Sequence, residues 1–211
     1  MDFDTVIDHP NNKIACNNYS REEAKKLLMN HCGFSVFHLN CRSLKAHFDE
    51  VSDLLDDFDF SFPVIGLSET WITDNIKQQY NFPGFNAEFH CRENDSPYGG
   101  VALYIKNGIT YKLRNDLNST RQSCEAVWIE ILVESLGTKN LKNNIVLSVI
   151  YRPPSLKVSD YMNYIENVLY TISLENKYVI IMGDININTL TSTSSPYLNC
   201  LNSFNLKNWI H

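Results

Sequence analysis

The chain has little of what would place it in a membrane, a secretory route or a metal cage. Its longest apolar runs, such as "VIIM" and "AVWIEILV", are strand length, far short of the roughly 20 residues a bilayer demands. The opening "MDFDTVIDHP" is acidic and lacks a basic stretch leading into an apolar one, so no cleaved signal peptide is expected. Cysteines fall at Cys16, Cys32, Cys41, Cys91, Cys124 and Cys200 without a C-x-x-C pair, which argues against a zinc cage. Without a secretory signal they read as reduced intracellular thiols, buried or incidental. By the same reasoning, the "NST" sequon at Asn118 would meet no glycosylating enzyme. Net positive charge is also missing. Eighteen Lys and Arg against 24 Asp and Glu give −6, which argues against a nucleic-acid partner at the level of the whole chain. A local basic face would not show in that sum. Arg42, Lys45, Lys106, Lys112, Arg114 and Arg152 either converge on such a face or are scattered, solvated charges, and the sequence leaves both open.

What is present suits one substantial core: 211 residues, 44% of them hydrophobic. No repeat or low-complexity tract interrupts it. Residues 1–19 are polar and read as an irregular tail, after which Ser20 and Glu23 form a capping box ahead of a short helix. "FSVFHL", "VIGL", "GGVALYI", "EAVWIEILV", "IVLSVIY" and "VIIM" read as strands, the last as fully buried. A helix is expected after Ser43 with Leu44, Phe48 and Val51 inward, and another from Ser159 with Tyr161, Ile165, Val168 or Leu169, and Ile172 on its buried face. The segment around "NFPGF" reads as a loop and "ESLGTKNLKNN" as a turn, and Pro196 suits the first turn of a last helix. Many strands and a few helices imply α/β or α+β layers around one core.

Polar residues collect where the expected strands end. Asn40 follows "FSVFHL", Glu69 follows "VIGL", Tyr151 ends "IVLSVIY", and Asp184 and Asn186 follow "VIIM". Residues two apart in extended backbone share a face, which would let Asp184 and Asn186 reach one substrate, with Gly183 allowing a turn or a close approach. Singly, each has an ordinary explanation: Asn40, Asp184 and Asn186 as turn formers, Glu69 as a surface carboxylate, Tyr151 as a strand-end aromatic. Recurrence at four strand ends favours one site.

In order along the chain, "HLNCRSL", "IGLSETW", "GGVALYI", "SVIYRPP" and "IIMGDIN" closely resemble the endonuclease/exonuclease/phosphatase superfamily, specifically its branch in non-LTR (LINE-type) retrotransposons. The resemblance runs from about Phe34 to the end of the chain. It implies a four-layer α/β/β/α sandwich with the site where the sheets meet. It also implies a Mg²⁺-dependent (or Mn²⁺-dependent) endonuclease that hydrolyses a phosphodiester in one strand of DNA. Glu69 would be the main metal ligand, with Asn40 beside it in the metal and phosphate shell. Tyr151 would donate a hydrogen bond to the scissile phosphate. Asp184 would orient or deprotonate the attacking water, or protonate the leaving oxygen, and Asn186 would hold phosphate and water.

The family pattern continues to an Asp block and a final Ser-Asp-His, and neither follows Asn186 here. The expectation is therefore a tail and short helix over 1–32, then a domain over 33–211 lacking its C-terminal part and with an incomplete second sheet. Loss of one preorganised donor costs roughly 10²- to 10³-fold in rate, so the activity of this truncated chain is open to doubt. A catalytically inactive binding remnant and a phosphoesterase acting on small substrates are the two other readings. No membrane or protein partner is expected, and the location would be intracellular, nuclear if the ancestral DNA substrate is kept.

Overall fold

In a computed structural model the apolar strands and amphipathic helices resolve, among the described residues, into ten strands and four α-helices. The structure describes residues 3–7, 15–31, 33–91, 98–118, 124–137, 141–189 and 196–207, with side chains from residue 18 onward. In chain order these are β1 (Phe3–Ile7), β2 (Ala15–Tyr19), α1 (Arg21–Met29), β3 (Val36–Asn40), α2 (Leu44–Asp57) and β4 (Val64–Ser68). Then come β5 (Phe85–His90), β6 (Val101–Lys106), β7 (Tyr111–Leu113), β8 (Glu125–Ile131), β9 (Ile145–Tyr151), α3 (Val158–Ser173), β10 (Tyr178–Asp184) and α4 (Pro196–Ser203). Contacts divide the chain into two units, Met1–Phe34 with Leu54–Ser61 and Ile187–His211, and Ser35–Asp53 with Phe62–Asn186.

The second unit holds two four-stranded sheets, ordered β3-β4-β6-β5 and β10-β9-β8-β7. Each contains one parallel pair bridged by a helix: β3 and β4 through α2, β9 and β10 through α3. The sheets face each other, β4 and β6 lying against β9, and Leu103, Ile105, Ile129 and Leu147 between them are fully buried. On the outer side of the first sheet, Phe48 of α2 stacks on Phe82, which in turn meets Tyr104 of β6. On the outer side of the second, Trp128 of β8 donates its indole N–H to Tyr164 of α3 at 2.8 Å. Helix α3 buries Tyr161, Ile165, Val168, Leu169 and Ile172, the face its spacing predicts. Helix, sheet, sheet, helix is the expected layering.

In the other unit, Ser20 and Glu23 close a capping box on α1, and Arg21 and Lys25 both pair with Asp57, at 2.6 and 2.7 Å. Pro196 is the first residue of α4, which buries Tyr197 and Leu201.

Three expectations change. Residues 1–19 include an antiparallel pair, β1 with β2, in register from Phe3 with Tyr19 to Ile7 with Ala15. The β-branched Thr5, Val6 and Ile7 favour extended backbone, a signal that the surrounding polar residues mask. β5 and β7 were also unforeseen. "FNAEFH" carries too few β formers to read as a strand alone, and β7 has three residues; pairing with β6 and β8 makes both. Finally, "VIIM" is not fully buried. β10 is the end strand of its sheet among the described residues, Tyr178 is exposed, and of its seven residues only Met182 is buried. Residues 190–195 and 208–211 fall outside the described residues.

Of the cysteines, Cys41, Cys91, Cys124 and Cys200 are free thiols. The Cys16 side chain and Cys32 lie outside the described residues, as does the sequon beyond Asn118. Among the described residues no helix is long and apolar enough to cross a membrane.

Candidate active site

Strand register brings the strand-end residues to one place. Asp184 pairs with Tyr151, and Tyr151 with Glu125, so one residue from each of β10, β9 and β8 forms a row on a single face. In the opposite sheet Asn40 pairs with Ser68, the residue before Glu69. The two faces meet through Asn40. Its side-chain Nδ2 donates to Glu69 Oε1 at 2.7 Å and to Asp184 Oδ2 at 2.8 Å, and its Oδ1 accepts from the Arg42 N–H at 3.2 Å. One amide thus draws two carboxylates together from chain positions 115 residues apart (184 − 69). Among the described residues no basic side chain pairs with either acid.

The backbone around this cluster is specialised. Glu69 and Trp71 have φ of +55° and Asn186 of +50°, a left-handed conformation that costs most residues free energy and that Asn tolerates best. Gly183 has φ of +141°, and a Cβ there would fall 1.9 Å from the carbonyl oxygen of Ile150. Only glycine lets β10 lie this close to β9 immediately before Asp184. The close approach is to a neighbouring strand.

Asn186 does not continue the strand, which ends at Asp184. Its N–H donates to Asp184 Oδ1 at 3.1 Å, and its side-chain Nδ2 donates to the carbonyl of Arg152 at 2.9 Å. The chain therefore turns after Asp184, and extended backbone does not align the two residues. That turn is held by Arg152, which sequence reading places among candidate surface cations. Arg152 is 3% exposed. Its Nε and Nη2 donate to the carbonyls of Ile185 and Asn186, both at 2.6 Å, and its Nη1 to those of Pro153 and Leu156. Its own N–H donates to the Asp184 carbonyl at 3.0 Å. A charge-assisted fork filled by carbonyls is a structural latch. The basic face does not assemble from the six candidates: Arg114 is also buried, and Lys112 pairs with Glu130 at the far end of β8.

His38 sits two residues before Asn40 on β3 and meets Ser68 Oγ at 3.2 Å. Burial lowers its pKa to about 4, with the Asp184 charge acting in the opposite direction. An apolar-flanked His within a strand gives no sequence signal of that surrounding. Tyr151 is buried at the middle of the row.

The profile of the Endonuclease/Exonuclease/phosphatase family matches residues 37–204 of the chain, a span that covers all five strand-end residues. The chain belongs to this family. A comparison with curated protein sequences finds no match. Among solved structures of the same fold, the endonuclease domain of TRAS1, a telomere-specific non-LTR retrotransposon, superposes with a TM-score of 0.59 at 16% identity over 80% of this chain and 71% of that one. The Xenopus laevis APE2 catalytic domain gives 0.51 at 19% identity, over 80% and 66%. The AP endonuclease LMAP from Leishmania major gives 0.52 at 14%, over 72% and 54%. At these identities the likeness is one of fold, and the chain spans just under two thirds of the APE2 domain and about half of LMAP. Membership gives the chain the nuclease and phosphoesterase fold of the family, with the Asn40–Glu69–Asp184 cluster where its two sheets meet.

Proposed function

We propose that the chain is a divalent-metal-dependent DNA endonuclease domain of retrotransposon origin, built to hydrolyse one phosphodiester in one strand. One observation carries the reading: Glu69 and Asp184 share a single amide donor from Asn40, and neither forms an ion pair with a Lys or Arg among the described residues. Two carboxylates brought together without a cation of the protein's own make a site for an added one. Among the described residues no group of three or more His, Cys, Asp or Glu forms a complete cage. That fits Mg²⁺ or Mn²⁺, since Mg²⁺ commonly takes one or two carboxylates and leaves the rest of its shell to water and substrate phosphate. Glu69 would hold the ion, with Asn40 beside it in the metal and phosphate shell. A metal so held supplies Lewis-acid polarisation of the phosphoryl oxygen and offsets the charge that develops there.

The remaining work falls to the chain's own side chains. Asp184 accepts at both oxygens, from Asn40 and from the Asn186 N–H, an arrangement suited to taking a proton from the attacking water, worth roughly 10²- to 10⁴-fold. Tyr151, in register beside it, would donate to the scissile phosphate. Asn186 holds Asp184 in place and has its Oδ1 left to meet phosphate or water. The TRAS1 fold match and the "HLNCRSL" and "YRPP" blocks support the retrotransposon assignment.

One observation favours a second reading, a phosphoesterase on small substrates. Of the six candidate cations only Arg42 adjoins the cluster in sequence, and Arg152 is enclosed by carbonyls. Nicking of supercoiled plasmid separates the two. The purified chain should nick with Mg²⁺ and not with EDTA, and Glu69→Ala and Asp184→Ala should abolish it. Turnover of a phosphomonoester by a folded chain that leaves plasmid intact would replace the first reading by the second. No turnover of either would make the domain a binding remnant.

A further inference from the structure

Glu125 opens β8, is 6% exposed, and completes the row with Tyr151 and Asp184. No strand-end pattern singles it out, because it begins a strand where the others end one. Its carboxylate Oε2 accepts the Gly100 N–H at 2.5 Å. Gly99 and Gly100 both have left-handed backbone, with φ of +85° and +83°. A Cβ on Gly99 would fall 2.6 Å from Glu125 Oε2, and one on Gly100 would fall 2.6 Å from Thr70 Oγ1. The two glycines therefore thread between the Glu125 carboxylate and the residue after Glu69, a passage too narrow for a side chain.

The glycines in turn hold the Glu69 segment. The Gly100 carbonyl accepts from the Thr70 N–H at 3.1 Å, and the Gly99 carbonyl from the Trp71 N–H at 2.7 Å. The Trp71 ring meets Tyr98, the residue before the pair, edge to face at 4.9 Å. From the other side, the Ser43 N–H donates to the Glu69 carbonyl and the Leu44 N–H to the Thr70 carbonyl, both at 2.8 Å. The clamp holds two residues, Glu69 and Trp71, in backbone they would not adopt unaided. Glu125 is the charged side chain behind it.

We infer that Glu125 is a positioning residue for Glu69, acting through the reach of its carboxylate to Gly100 rather than through its charge. This rests on the reading that Glu69 holds a divalent cation. Groups that orient metal ligands commonly change affinity by 10- to 100-fold when altered.

The test is Mn²⁺ binding to the full chain, followed by electron paramagnetic resonance of the free ion, with thermal unfolding of each variant recorded beside it. Glu69→Ala should lose the tight site. Glu125→Asp keeps the charge but is one methylene too short for Gly100, and should weaken Mn²⁺ binding by about tenfold. Glu125→Gln keeps the reach and an acceptor oxygen, and should stay within about twofold of wild type. Binding by the Asp variant equal to wild type, at whatever melting temperature, would overturn the inference, because the role would then be packing alone. Loss in the Gln variant as large as in the Asp variant would overturn it too, because charge would then be the active property. If Glu69→Ala and wild type bind alike, the metal reading fails and takes this inference with it. A site lost with Glu69→Ala but untouched by Glu125→Asp condemns the inference alone.

Discussion

The two ends of the facing sheets handle acid in opposite ways, fully buried at one end and half-buried at the other. At the far end Glu130, 1% exposed, accepts from Lys177 at 2.6 Å, Asn144 at 2.8 Å, and Lys112 and Arg114 at 3.2 Å each. Arg114 and Lys177 extend to Glu175, and Arg114 to Asp116. Three acids are thus matched by three bases. Burial alone would raise the Glu130 carboxyl, but the bonds from Lys177, Asn144 and Lys112 outweigh it and hold the group down at about 2. At the other end Glu69 and Asp184 share one neutral amide. Acid that the chain neutralises with its own bases supports the fold. Acid that it brings together without a Lys or Arg partner is, on the proposed function, where an added cation would sit.

The sharpest way to break this comparison is to remove one acid from each end. Glu69→Gln or Asp184→Asn should reduce Mg²⁺-dependent nicking by about 10³-fold or more while leaving the melting temperature unchanged or higher, since a site of like charges is held at a cost in stability. Plasmid nicking and calorimetry on the same preparations check both halves. Glu130→Ala should do the reverse. It removes one acceptor from Arg114 and Lys177, which keep Glu175 and Asp116, and should cost about 3 kcal/mol in urea unfolding, the low end for a broken buried pair because the cations keep other partners, with unchanged nicking per folded molecule.

The pH dependence follows in sign from the depressed Glu130 carboxyl. Its contribution is fully present above pH 4.5, its ordinary value, and is lost as pH falls toward 2. Glu130→Gln should therefore flatten the stability curve across that window, read by urea titration at a series of pH values. Least affected should be Lys112→Ala. That side chain is 58% exposed, and its removal should cost less than about 1 kcal/mol, distinguishable from Lys177→Ala in the same assay.

Legibility from sequence divides along similar lines. The buried face of α3 and the cores of β4, β8 and β9 could be read because apolar spacing alone determines them. Asn40, Glu69, Tyr151 and Asp184 could be read as neighbours because strands ending in polar residues deliver them to one end of their sheets. Glu125 begins its strand and escapes that rule. Arg152 was misread because burying an arginine requires a ring of carbonyls, and those of Ile185 and Asn186 exist only once Asn186 turns left-handed. Strands β1, β2, β5 and β7 are made by their partners more than by their own composition, so pattern reading passes over them.

The most direct test of an acid pair kept open for a cation is thermal unfolding of the full chain across a Mg²⁺ titration, comparing wild type with Glu69→Gln and Glu130→Gln. A ligand that binds only the folded state at about 100 times its dissociation constant stabilises by about 2.7 kcal/mol. Wild type and Glu130→Gln should therefore melt progressively higher as Mg²⁺ is added, from different starting points, while Glu69→Gln should not respond. An equal response in all three, or none in wild type, would contradict the proposal that Glu69 holds a divalent cation.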